Sequence, residues 1–171
     1  VGYGFVKLGR NIERTDMSTR ILDVGSVRLL AKNDELPKTY STALWMSILR
    51  SISAYQMYRQ HVMERVNAKD VVEFLIKDPH FPRSVAHCIN ELKATCMELP
   101  RSDEPQRLLA ALARDVVDLD VAQMLDSGLH GYIDELQLDV GAAHDEIVKT
   151  WFEFDHAGSY TLRDSRQASV N

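Results

Sequence analysis

Cysteine is almost absent from this chain. Cys88 and Cys96 are the only two, and they fall on what reads as one helix. Their α-carbons would lie about 12 Å apart at ~1.5 Å per residue, too far for a mutual disulfide. They read as small buried thiols in a reducing, cytoplasmic setting. An excess of positive charge is absent as well. The net charge is −5, so there is no global field for a phosphate backbone and no nucleic-acid partner is expected. Long apolar runs are missing: nothing reaches the ~20 residues that cross a bilayer, so no membrane association is expected. No charged leader with an apolar segment and a cleavage site is visible at the front. Val1 already lies inside a helical pattern, so the chain reads as a piece of something longer.

Signature motifs of autonomous chemistry are missing too. There is no HExxH, CxxC, GxGxxG, Walker or GxSxG pattern, which leaves zinc, nucleotide and serine-hydrolase sites without their usual scaffolds. A carboxylate-bridged di-metal bundle needs paired Glu-x-x-His motifs; Glu153–His156 alone has that spacing. No metal and no cofactor is expected. Ser51, Ser53 and Ser84 have no visible nucleophile context, and Cys88 has no activating neighbour in the sequence.

What the sequence does contain is helical periodicity. Strand-turn-strand signals and solenoid repeats are absent. The 171 residues suit one domain with a core of its own. The spacing predicts an all-α fold, a helical bundle of five to six helices with short loops, over residues 1–154. Helices are expected at about Gly2–Leu30, Ser41–Arg65, a short one capped by Asn67, one running to Leu99 with Pro82 in its first turn, Glu104–Leu125, and Tyr132–Phe154. Asn33 and Pro37 break the chain after the first, and Ser102 or Asp103 caps the fifth. "DSGLHG" is expected to interrupt or kink the chain. The tail, 155–171, has no apolar periodicity and reads as disordered.

The first helix carries a puzzle in "FVKLGRNIERTDMSTRILDV". At ~100° per residue it shows two apolar stripes. Phe5, Leu8, Ile12 and Leu22 lie on one, with Thr15 and Thr19 between them. Val6, Met17, Ile21 and Val24 form the other. Lys7, Asn11, Arg14 and Ser18 form a polar strip expected to face solvent. Glu13 falls within the second apolar stripe, with Arg10 one turn earlier and Arg20 two turns later. Asp16 sits one turn before Arg20. The second helix is poor in charge: Arg50 and Arg59 are its only charged residues between Ser41 and Val62. A helix without a charged face reads as central, so Arg50 is expected to be buried and paired with Glu13 or Asp16. The cluster has two readings. It is an ion-pair network that fixes helix register, or a site for a carboxylate or other anion, with Arg10, Arg20, Arg50 and Arg59 as spare positive charge.

Two further places could carry chemistry. "DPHFPRSVAHC" gathers His80, Arg83 and His87, with Arg83 and His87 one turn apart. Arg83 either seats an anion near a helix N-terminus or caps another helix. His130, between Gly128 and Gly131, is a weak candidate general base or a packed hinge histidine. Glu13, His87 and His130 are the candidate catalytic residues, none of them in a recognisable constellation.

"LGRNIERTDMSTRILDV", "LRSISAYQMYR", "VVEFLIKDPHFPRSV" and "SGLHGYI", in that order, resemble the Alpha-E domain family, bacterial all-helical domains with a Glu-Arg motif. The motif here would be Glu13-Arg14. The resemblance covers about Tyr3 to Phe154 and is to the C-terminal half of longer members. It implies that an apolar face is left exposed or is covered by self-association, and that an absent half could cover Arg14. Family members are encoded beside ATP-grasp ligases and transglutaminase-like peptidases. The resemblance therefore implies an accessory or partner domain of an ATP-grasp-type amide ligase system, scaffolding the ligase or presenting substrate. The alternatives are a helical enzyme of the same peptide-modification pathway with Glu13 as acid/base, and a purely structural bundle.

Overall fold

A computed structural model of the chain describes residues 2–29 and 38–153. The tail at 155–171 and the breakers Asn33 and Pro37 lie outside the described residues. Within them the chain is all-α and no strand occurs. Eight helices are described: α1 Gly2–Leu29, α2 Lys38–Ser51, α3 Tyr55–His61, α4 Ala68–Lys77, α5 Val85–Met97, α6 Asp103–Asp118, α7 Val121–Ser127 and α8 Leu129–Trp151. None is long and apolar enough to cross a membrane.

The count exceeds the expected five to six because two predicted helices are broken. The second bends at Ile52–Ala54, where Ser53 takes a positive φ of 56°, and the chain is non-helical from Val62 to Asn67. The fifth stops at Asp118, and Asp120 starts α7 by accepting a hydrogen bond from the Gln123 N–H at 3.1 Å. Asn67 caps α4 as its sequence position suggests, accepting from Asp70 N–H at 3.0 Å. Pro82 is not in the first turn of α5. Ser84 is the cap there, accepting from the His87 N–H, and Pro82 lies in the turn before it. "DSGLHG" narrows to a one-residue joint, Gly128, at φ 124°, a conformation other residues adopt only at a cost.

Four helices make the body. Ser18 donates to the Arg83 carbonyl at 2.7 Å, while Gly4 lies beside Thr95 and Leu99 at the other end of α5. Hence α5 runs antiparallel to α1. Phe5 meets Trp151 and Phe152 edge-on and Asp23 meets His130, so α8 is antiparallel to α1 as well. The α6 helix packs on both α5 and α8 and closes the ring. Leu8 and Leu22, Ile89 and Leu92, Leu109 and Leu112, and Ile133 and Leu136 fill its interior. At one end α4 packs on α2, α5, α6 and α7. It buries Val71, Val72, Phe74, Leu75 and Ile76, so α4, not the second helix, is the element apolar on most sides.

The orientation of α1 overturns part of the sequence reading. Its buried seam runs Gly4, Leu8, Asn11, Thr15, Ser18, Leu22, a heptad spacing. Asn11 and Ser18, placed on the polar strip, are 4% and 1% exposed, whereas Val6, Met17 and Val24 of the second apolar stripe are 56%, 53% and 58% exposed. The reason is that the inward polar groups are satisfied. Asn11 donates to the Lys7 carbonyl at 3.0 Å, Thr15 to the Asn11 carbonyl at 2.9 Å, and Ser18 to the Arg83 carbonyl in the turn before α5. Small residues with satisfied hydroxyls let α1 and α5 approach closely.

The hinge between α4 and α5 is held by Asp78. Its carboxylate accepts from the backbone N–H groups of His80 and Phe81, each at 2.8 Å, and from the His61 ring at 2.7 Å. Burial opposes its ionisation, but the His61 ring and the two N–H groups outweigh burial and leave the carboxyl below its ordinary range.

Because Thr15 is inside and Met17 outside, Thr15→Leu should destabilise the chain by about 1–3 kcal/mol through overpacking. Met17→Leu should stay within about 0.5 kcal/mol of the parent. Urea unfolding of both checks this; a larger loss for Met17→Leu would reverse the assigned faces of α1.

Candidate functional site

The α1 and α8 helices diverge on their outer side and leave an open groove of about 780 Å³. From α1 come Ile12, Glu13, Asp16 and Arg20; from α8 come Asp134, Gln137, Leu138 and His144. Gly9 and Gly141 face the same space. A Cβ added at either would meet nothing within 4 Å, so the groove owes part of its width to missing side chains. Gln137 donates to the Thr19 hydroxyl at 3.2 Å and ties the two walls together.

The groove is acidic with one compensated pair. Asp16 and Arg20, one turn apart, bridge at 2.8 Å, and this contact raises the guanidinium's already high pKa. Asp134 lies 3.5 Å from the far nitrogen of His130. Glu13 is exposed and makes no hydrogen bond or ion pair among the described residues. The arrangement suits a ligand carrying an amine or guanidinium beside an apolar part that rests on Leu138 and Ile12.

The predicted charge cluster is not assembled. Arg50 is exposed and lies over the Tyr55 ring, 5.0 Å from its centre. It is neither buried nor paired with Glu13 or Asp16. The α2 helix lies at the flank of α1, and its uncharged outer side exposes Ser47 and Ser51 to water. Arg59 donates to the Glu64 carbonyl at 3.3 Å in the α3–α4 loop. Arg83 donates to the Ile52 carbonyl at 2.6 Å just past α2, so it caps another helix, one of its two readings. Arg10 is exposed and makes no hydrogen bond or ion pair among the described residues. Arg14 is half-buried, its guanidinium 3.5 Å from the Pro82 carbonyl; it leans on the α4–α5 hinge instead of facing solvent. Adjacent residues on a helix point ~100° apart, so Glu13 opens on the groove side while Arg14 turns to the hinge.

The histidines are likewise scattered. His87 is hydrogen-bonded through Nδ1 to the Pro79 carbonyl at 3.0 Å, which serves the hinge. His130 contacts Asp23 at 2.5 Å, a partner 107 residues away that no local pattern announces. Neither histidine is hydrogen-bonded to Glu13. Burial pushes the Cys88 and Cys96 thiols up to about 11, which keeps both protonated and unreactive. No group of three or more His, Cys, Asp or Glu among the described residues could hold a metal ion.

The fold and groove define an all-helical domain with an open acidic groove and no assembled catalytic constellation among the described residues. The chain belongs to the Alpha-E family, described as a predicted alpha-helical domain with a conserved ER motif, whose model matches residues 1–152. No curated protein and no solved structure matches it. A second Glu-Arg pair, Glu64-Arg65, is exposed in the α3–α4 loop; Glu13-Arg14 is the one set in the bundle.

The contact with Asp23, then its charge and that of Asp134, raise the His130 pKa above the ordinary histidine value. The clamp between α1 and α8 therefore contributes fully below the unfolded value of ~6.5 and is lost as pH rises through the folded one. The His130 titration followed by NMR should lie above ~6.5 and fall back in Asp23→Asn. The stability gap between parent and Asp23→Asn should shrink from mildly acidic to mildly alkaline pH. A gap that widened would contradict the assignment.

Proposed function

We propose that this Alpha-E domain is a non-catalytic partner module of an ATP-grasp-type amide ligase that acts alongside a transglutaminase-like peptidase. It scaffolds the ligase or presents a peptide or amino-acid substrate, and the α1–α8 groove is the presenting surface. The observation that carries this reading is the open acidic groove with an uncompensated Glu13 at its rim. A free amine end, the nucleophile an amide ligase needs, is the group such a surface holds best. No hydrogen bond or ion pair among the described residues engages the Glu13 carboxylate, which leaves it free to meet a cationic ligand. Membership in the Alpha-E family, with the ligase and peptidase context that the family resemblance implies, supports this choice of partners.

Calorimetry between the full-length parent protein and the ATP-grasp ligase of the same cell tests this. Association is expected, with no turnover by the parent alone. Glu13→Lys together with Asp134→Lys should weaken binding of the ligase or its amine substrate by at least about tenfold, 1.4 kcal/mol. Failure of the full-length proteins to associate would sink the partner reading. Turnover by the parent alone, abolished in Glu13→Gln, would favour an enzyme.

A further inference from the structure

The outer side of α1 is a second seam that no helix among the described residues covers. Tyr3, Val6, Arg10, Glu13, Met17 and Arg20 are all exposed. Their spacing alternates three and four, the repeat of a helix that packs against another helix, and Val24 continues it. From Tyr3 to Val24 the seam is about 32 Å long at ~1.5 Å per residue. On one side of it lies the α1–α8 groove. On the other is an apolar hollow of about 460 Å³ lined by Met17, Ile21, Val24, Leu44 and Ile48. A solvated helix face does not need apolar residues at heptad spacing flanked by an apolar hollow. The two charges at its centre, Arg10 and Glu13, are three residues apart, yet they form no ion pair with each other.

We infer that this seam is an isologous interface, and that its occupant is the α1 helix of a second copy of the chain, antiparallel across a two-fold axis between Asn11 and Ile12. In that register Arg10 of each copy faces Glu13 of the other, Val6 faces Met17, and the Tyr3 ring faces Arg20. From Tyr3 to Arg20 every layer is matched: charge with opposite charge, apolar with apolar, cation with aromatic. Neighbouring registers are not. A slip of one heptad in one direction sets Arg10 against Arg20; in the other it sets Val6 against Arg10. Parallel pairing stacks Arg10 on Arg10 and Glu13 on Glu13. Like charges directly opposed, or a charge set against an apolar residue, suppress these alternatives, so the seam specifies both partner and direction. A two-fold axis requires a self-complementary surface, and this face has that property without any outside partner. The pairing also brings Arg10 of one copy to the rim of the other's groove. Its test needs this chain alone, but Glu13 serves both readings: in the dimer it faces Arg10 of the other copy, so an amine held at Glu13 competes with the pairing.

Sedimentation equilibrium of the 171-residue chain tests it. A monomer–dimer equilibrium is expected. Arg10→Glu and Glu13→Arg should each weaken the dimer by at least about tenfold, and the double charge swap should restore it to within about threefold. Both positions of change are exposed, and circular dichroism confirms that each of the three variants is folded. As an independent measurement, Val6→Cys combined with Met17→Cys should give an intermolecular disulfide, since the native thiols are buried. A chain that stays monomeric at the highest soluble concentration overturns the proposal. So does a dimer that ignores the charge reversals, or one that the double swap fails to restore.

Discussion

Close approach of α1 to α5 is the constraint on which the bundle rests. It depends on inward residues that are small and polar, yet need nothing from the neighbouring helix. Thr15 and Asn11 return their hydrogen bonds to carbonyls of their own helix, and Ser18 reaches only to the start of α5. An unsatisfied hydroxyl in that position would cost about 1–3 kcal/mol. Once these groups are satisfied, the rotation of α1 is fixed. Its flanks must then meet α8 and α2, and its remaining side must face outward with Val6, Met17 and Val24 on it. The outer surface is thus a consequence of how the inner one is packed.

This chain of cause explains which features the sequence made legible. Helical period and breaker positions are local, and they give the all-α class, the Asn67 cap and the interruption before α8. The residues whose surroundings differ from their local pattern do so for nonlocal reasons. Hydropathy assigns Asn11 and Ser18 to water because it does not see where their hydrogen bonds go. Arg50 reads as interior because it and Arg59 are the only charges between Ser41 and Val62, but serines and a ring contact are enough for a flank exposed to water. The bend at Ser53 has no proline or glycine to announce it; it becomes visible only when Arg83 is seen donating to Ile52 from across the fold. His130 and Asp23 belong to opposite ends of the chain, and no local pattern could pair them.

The Glu-Arg dipeptide takes on a different meaning in the fold. Adjacent in sequence, Glu13 and Arg14 serve different neighbours, the groove and the Pro82 turn. The same hinge that Arg14 touches is organised by Asp78 and capped by Ser84. A helix can therefore couple a surface feature to the α4–α5 connection within one residue step. Defects at the two positions should look different, one in binding and one in packing.

The two thiols lead somewhere else. Cys88 lies on the α5 face toward the hinge, with its sulfur 3.6 Å from the Pro82 carbonyl, and Cys96 sits deep near the other end of the same helix. Both are protonated and shielded, so electrophilic dyes and spin labels find no native target on the folded chain. The protein comes as a blank canvas for spectroscopy: a single cysteine introduced anywhere on its exterior would be the sole reporter, with the parent sequence otherwise intact.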